Sequence, residues 1–156
     1  MSVQVCGGEY FMADKISTEA RSRNMSAIRS THTKIEDRVS KELWHHGFRF
    51  RRNVKNLRGK PDIAIKKHKI VIFIDSCFWH SCNLHGHIPK SNVEFWVQKL
   101  ERNKQRDIDT TRYYSDNGWN VLRVWEHDLK ENFQGTIHSI IEFITSSINF
   151  GKTNNR

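Results

Sequence analysis

The apolar run Ile70-Val71-Ile72-Phe73, continued by Ile74, is rich in β-branched residues and predicts a strand buried on both faces. Before it, Ile35, Val39 and Leu43 recur at steps of four behind Thr33-x-x-Glu36, a capping-box signature, which predicts a helix ending near Gly47. Phe48 to Arg52 alternates apolar and basic residues, as a half-buried strand would. Asn56 to Pro61 is a turn cluster, Asp62 to Ile65 resumes strand character, and Lys66 to Lys69 reads as a basic hairpin-like turn. Thr18 to Ile28 is expected to form a short helix.

Beyond Pro89, Asn92 is expected to cap a long helix from Val93 to about Asn117, with Gly118 as its stop. Trp119 to Trp125 reads as a strand, and Ile137, Ile140, Ile141 and Ile144 mark a closing amphipathic helix. The order α, α, β, β, β, α, β, α suits an α/β fold, a mixed sheet with helices on both faces. Residues 1–14 show no periodicity and are expected to be a disordered extension, residues 15–150 a single domain, and residues 151–156 a polar tail.

Charge narrows the partners. Among 156 residues, 26 Lys and Arg against 17 Asp and Glu give +9, which favours a polyanion, nucleic acid first and an anionic membrane second. Five Trp and 11% aromatic content argue against a disordered basic tail. Three cysteines form no framework, and no signal-peptide core is visible, so a reducing, bacterial cytoplasm is expected. The apolar runs fall far short of a membrane span.

The chemistry concentrates just after the buried strand. Asp75, Cys77, His80, Cys82, His85 and His87 follow it closely, with Phe78-Trp79 set among them. Cys77 and Cys82, with His85 three residues on, suit three ligands of a tetrahedral zinc. His127, just beyond the strand WNVLRVW, is the choice for the fourth. Buried structural cysteines beside surface histidines would be the plainer account, but three ligand types within nine residues favour zinc.

Asp62 and Asp75 fall on neighbouring strands, where antiparallel pairing would bring both carboxylates to one edge. That is a place for Mg²⁺, which takes oxygen ligands and activates water against phosphodiesters. Each Asp could equally be a turn or strand-end residue. Lys99, Arg102, Lys104, Arg106 and Arg112 give the long helix a basic face suited to phosphate. In the first helix, Arg21, Arg23, Arg29 and Met25 could form either a solvated surface or an arm against nucleic acid, with Met25 as a wedge.

Several strings carry a family resemblance: Arg23-Asn24-Met25-x-x-Ile28, Gly59-Lys60-Pro61-Asp62, Cys77-Phe78-Trp79-His80, Glu94-Phe95-Trp96, Asn103-x-x-Arg106-Asp107, Gly118-Trp119-x-Val121-Leu122 and Val124-Trp125-Glu126. In this order, over roughly residues 15–130, they resemble the very short patch repair (Vsr) mismatch endonucleases, and the element order resembles the restriction-endonuclease-like fold.

The resemblance implies a monomeric enzyme that nicks double-stranded DNA on the 5′ side of the T in a T·G mismatch, the lesion left by deamination of 5-methylcytosine; the alternatives are a restriction endonuclease of the same fold and a non-catalytic zinc DNA-binding module. It implies a functional link to a C5-cytosine methyltransferase and to mismatch-repair proteins. Residue by residue, Asp62 and the backbone carbonyl of Ile74 match the magnesium ligands. His80 matches the general base, Glu36 a glutamate that orients it, and Asp107 a further site carboxylate. Phe78, Trp79 and Trp96 match an aromatic wedge joined by Met25, while Cys77, Cys82, His85 and His127 take the structural zinc positions. The chain departs from wider patterns at Asp75-Ser76-Cys77, where nucleases of this fold often carry a lysine. Asp75 itself, counted among the site carboxylates, stands where the best-known relatives have histidine.

Overall fold

The computed structural model describes residues 17–27 and 31–153. Helix α1 (Thr18–Ala27) opens with Ser17 Oγ accepting the Ala20 N–H at 3.2 Å. The side chain of Met25 and the whole of Arg29 lie outside the described residues, as does the expected disordered extension.

From Thr31 onward the chain builds a sheet with helices on both faces. Helix α2 (Lys34–His45) starts where the capping box predicts: Thr33 Oγ1 accepts the Glu36 N–H at 3.3 Å. It ends in a two-bond cap in which Gly47 and Phe48 donate to the carbonyls of Trp44 and Leu43. Gly47 has φ +85°, a conformation costly for any residue with a Cβ.

Strands β1 (Arg51–Arg52), β2 (Ile63–Ile65), β3 (Ile70–Asp75) and β4 (Asn120–Trp125) lie in the order β1-β2-β3-β4, antiparallel except for the parallel β3-β4 pair. β1 is shorter than the alternation in Phe48–Arg52 suggests. β2 offers only three residues to pair with, while Phe48 and Phe50 turn onto the core instead. The link between β2 and β3 is a 3-10 turn (Lys66–His68) closed by Lys69 at φ +51°.

Helix α3 (Val93–Asp116) crosses one face of the sheet, and α2, α4 (Glu126–Glu131) and α5 (Phe133–Thr153) cover the other. Asn92 precedes α3 in a left-handed conformation and makes no side-chain cap, contrary to expectation. Helix α4 is a single short element that the sequence pattern does not reveal, and α5 continues through Gly151 into the stretch expected as a polar tail.

The larger core joins Val39 and Leu43 of α2, Ile63, Ile70 and Ile72 of the sheet, Leu129 of α4 and Ile137, Ile140 and Ile144 of α5. Its members from the two central strands are almost wholly removed from water, and each such side chain contributes on the order of 1.5–3 kcal/mol. The smaller core packs Val71, Phe73 and Ala64 against Tyr114 of α3. Tyr114 also donates to the Arg58 carbonyl at 2.7 Å, tying the turn before Asp62 to α3. That turn can lie close because Gly59 has no side chain: a Cβ there would sit 2.6 Å from Thr110 Cγ2. Pro61 and Asp62 are thereby presented beside the end of β3.

Candidate active site and metal centre

The C-terminal ends of β3 and β4 and the middle of α3 converge. β3 delivers Asp75, the loop after it delivers Cys77 to Cys82, β4 delivers Arg123 and leads into His127, and α3 supplies Asp107. The loop is held by its own backbone, with His80 and Cys82 donating to the carbonyls of Ser76 and Cys77. Asn103 of α3 steadies it from outside by donating to the Trp79 carbonyl at 3.1 Å.

Cys77, Cys82, His85 and His127 place their ligand atoms within 4.8 Å of one another. Cys77 Sγ lies 3.3 Å and Cys82 Sγ 3.5 Å from His127 Nδ1, and Cys82 Sγ lies 3.9 Å from His85 Nδ1. A tetrahedral zinc with ordinary Zn–S and Zn–N bonds spaces its sulfur and nitrogen ligands about 3.6 Å apart. The four residues therefore fit zinc. The remaining nitrogen of His127, Nε2, lies 3.2 Å from Asp128 Oδ1, the kind of partner that orients a ligating imidazole. Burial first, and then the neighbouring Cys82 sulfur, push the Cys77 thiol up against the pull of its hydrogen bond with His127.

Asp62 accepts the backbone N–H of Ile74 through Oδ2 at 2.7 Å, which sets the carboxylate beside the Ile74 peptide. Its pKa is pushed up to about 7, by burial first and then by the charges of Glu36 and Asp75, against the pull of that hydrogen bond and of His80. Burial and two like charges thus outweigh His80 at this carboxylate. A hard cation bound by oxygen ligands would offset them, so the residues suit Mg²⁺.

His80 Nδ1 meets Asp107 Oδ2 at 2.5 Å and lies 3.6 Å from Asp75 Oδ1. Burial works against charge on His80, but the Asp107 hydrogen bond and the two carboxylates outweigh it and raise its pKa. Burial pushes the Asp107 carboxyl up, and His80 and Arg123 more than reverse this, leaving it below the usual range. Glu36 stands apart from this contact. Its carboxylate takes the Thr33 hydroxyl at 2.9 Å, the His32 N–H at 2.8 Å and the Asn53 amide at 3.4 Å, so the group found orienting His80 is Asp107. Asp75 is engaged as well, with Arg123 meeting both of its oxygens, at 2.6 and 2.9 Å.

Next to these cysteines and histidines is a cluster of rings. Phe78 packs edge-on against Trp79 (4.8 Å between centroids) and Trp96 (5.4 Å), and Phe95 meets Trp96 at 5.5 Å. Phe78 and Trp79 are half-buried, Phe95 is 52% exposed, and Trp96 is only 9% exposed, so Trp96 backs the others. Lys99 Nζ lies 5.1–5.5 Å from the rings of Trp79, Trp96 and Phe95. Phe95, Lys99, Arg102, Asn103 and Arg106 line one open groove along α3.

Comparison with known proteins decides the family. The profile described as "DNA mismatch endonuclease Vsr" matches residues 13–85. The Type II nicking enzyme V.NmeAIP of Neisseria meningitidis serogroup A is 48% identical over 121 residues, 76% of this chain and 86% of that protein. The DNA mismatch endonuclease Vsr of Escherichia coli K12 is 36% identical over 133 residues, 84% of this chain and 85% of the relative. The chain belongs to the Vsr family. It is a DNA endonuclease.

In this Vsr-family chain the geometry also adds two residues to the expected site set, one of them, Asn103, from a string already quoted for the resemblance. Arg123 and Asn103 hold the site together yet fall outside the expected residue set. An arginine between the apolar residues Leu122 and Val124 of a strand was the available signal, since a charged side chain in such a place needs a partner. Among the described residues, no helix is long and apolar enough to cross a membrane.

Proposed function

We propose that the protein nicks one strand of duplex DNA on the 5′ side of the T in a T·G mismatch, using Mg²⁺ at Asp62 and the Ile74 carbonyl. The observation that carries the mechanism is the His80–Asp107 contact at 2.5 Å, beside a half-buried Asp62 in need of a cation. Engaging Nδ1 leaves Nε2 as the nitrogen able to take a proton. When bound, magnesium neutralises charge on the scissile phosphate and acidifies water. His80 accepts the proton of the attacking water, whose oxygen bonds to phosphorus as the bond to O3′ breaks. O3′ leaves with a proton from solvent, giving a 3′-hydroxyl and a 5′-phosphate. Asp107 holds the neutral imidazole as the Nδ1–H tautomer and pairs with the imidazolium once the proton has moved, and Glu36 and Asp75 add to the negative field around Asp62.

Recognition is proposed to rest on Phe78 and Trp79, backed by Trp96, entering the weak base step, with Met25 serving as a second wedge. A mispaired step is poorly stacked, so inserting a ring there costs less than at a matched pair. Zinc at Cys77, Cys82, His85 and His127 would pin both ends of the loop that carries these rings and His80. The same reading takes the mixed sheet as restriction-endonuclease-like, the enzyme as a monomer in the cytoplasm, and its partners as a C5-cytosine methyltransferase and mismatch-repair proteins.

The test is incubation with Mg²⁺ of end-labelled duplexes that differ only in one T·G pair. A single nick confined to the mismatched duplex supports the proposal. Double-strand cuts in the matched control, or binding without cleavage, overturn it.

A further inference from the structure

We infer that Arg123 is a positioning residue that sets the geometry of His80 by distributing two carboxylates around it; the inference rests on the reading of His80 as the base.

A guanidinium has five N–H donors in a fixed plane. Arg123 makes four hydrogen bonds and one further ion-pair contact with them. Nε donates to Asp75 Oδ2 at 2.6 Å, and Nη2 serves Asp75 Oδ1 and Asp107 Oδ1, both at 2.9 Å. Nη1 reaches the Asp107 carbonyl at 3.4 Å and Thr111 Oγ1 at 3.5 Å. The cation also lies over the ring of Phe73, 4.8 Å from its centre. All three nitrogens are thus engaged within the protein. Its work is internal.

What that work does follows from the competition at His80. One imidazole nitrogen faces two carboxylates, Asp107 Oδ2 at 2.5 Å and Asp75 Oδ1 at 3.6 Å. Asp75 is almost fully buried, its side chain only 4% exposed, so it must have a cation from somewhere. By gripping both Asp75 oxygens, Arg123 meets that need and leaves the imidazole to Asp107. By holding Asp107 through Oδ1, it turns Oδ2 towards His80. The clamp ties β3, β4 and α3 together behind the loop that carries His80.

A purely structural ion pair would stabilise the fold equally well, so the test must separate the two roles. Arg123→Lys keeps the charge and loses the planar fork. The double variant Arg123→Met with Asp75→Asn leaves no unpaired buried charge. Both are compared with the unaltered protein for thermal midpoint, single-turnover nicking of a T·G duplex, affinity for that duplex in the absence of Mg²⁺, and the ring ¹⁵N signals of His80.

Positioning requires variants that stay folded and bind the duplex within about threefold, yet nick on the order of 30-fold or more slowly, with His80 no longer held in the Nδ1–H tautomer. Should Arg123→Lys fail to fold, the double variant decides on the same readouts. Folded variants with unchanged His80 signals and an unchanged nicking rate overturn the inference, as does a rate loss matched by an equal loss of affinity. If the unaltered protein nicks no T·G duplex, the functional reading fails, and the His80 signals alone still decide the role of Arg123.

Discussion

Cys77 Sγ lies 3.3 Å from Nδ1 of His127, a residue fifty positions further along the chain. The contact joins the loop after β3 to the end of β4, and it exists because those two strands run parallel in register, Asp75 beside Trp125. A metal held at this seam would close both strand ends at once.

Removing that metal is expected to loosen the loop. Cys82→Ala, at a site only 4% exposed, should cut bound zinc measured by mass spectrometry and lower the thermal midpoint by roughly 5 °C or more. Full zinc content in this variant would reject the four-residue site.

Loss of Asp107 should act on the rate and spare the affinity. Asp107→Asn keeps the shape but presents the wrong group to His80 Nδ1, and the single-turnover rate is expected to fall on the order of 10²-fold or more. Binding to an uncleaved T·G duplex should change little. A variant nicking at the unaltered rate would remove Asp107 from the site.

The rings should govern discrimination. Trp79→Ala takes away a surface that packs with Phe78 and Trp96, and base–aromatic stacking is worth about 1–3 kcal/mol. Preference for T·G over T·A duplexes in a competition binding assay is therefore expected to fall roughly tenfold, and an unchanged preference would contradict the wedge.

Stability of the metal-free protein should depend on pH through Asp62. Its folded pKa, about 7, stands above the ordinary 3.8, so the folded form binds the proton more tightly than the unfolded chain. The resulting stabilisation is complete below about pH 4 and is lost as pH rises through 7. Urea midpoints measured without divalent metal should fall between pH 5 and pH 8 in the unaltered protein, and less so in Asp62→Asn. Equal slopes in the two would contradict the assignment.

Much of this was legible in the chain because it depends on local pattern. The Thr33–Glu36 cap, the buried strand at Ile70 and the spacing of Cys77, Cys82 and His85 are all short-range, and each reappears in the structure. His127 could be found because it directly follows a strand. What stayed hidden depends on pairs far apart in sequence. Arg123 meets Asp75 across 48 positions, and Asp107 rather than Glu36 reaches His80 only because α3 crosses that face. Helix α4 escaped notice because six residues are too few to show a period, and Asn92 because its left-handed backbone replaces the expected side-chain cap.

The most direct test maps the cut itself. A duplex with one T·G pair and separate labels on its two strands is incubated with Mg²⁺ and either the unaltered protein or Asp62→Ala, and the products are sized to the nucleotide. The expected result is one cut, in the T strand, immediately 5′ to the mismatched T, with a 5′-phosphate, absent with Asp62→Ala although that variant still binds. Cutting by Asp62→Ala at the unaltered rate, or equal cutting of a fully matched duplex, would contradict the account.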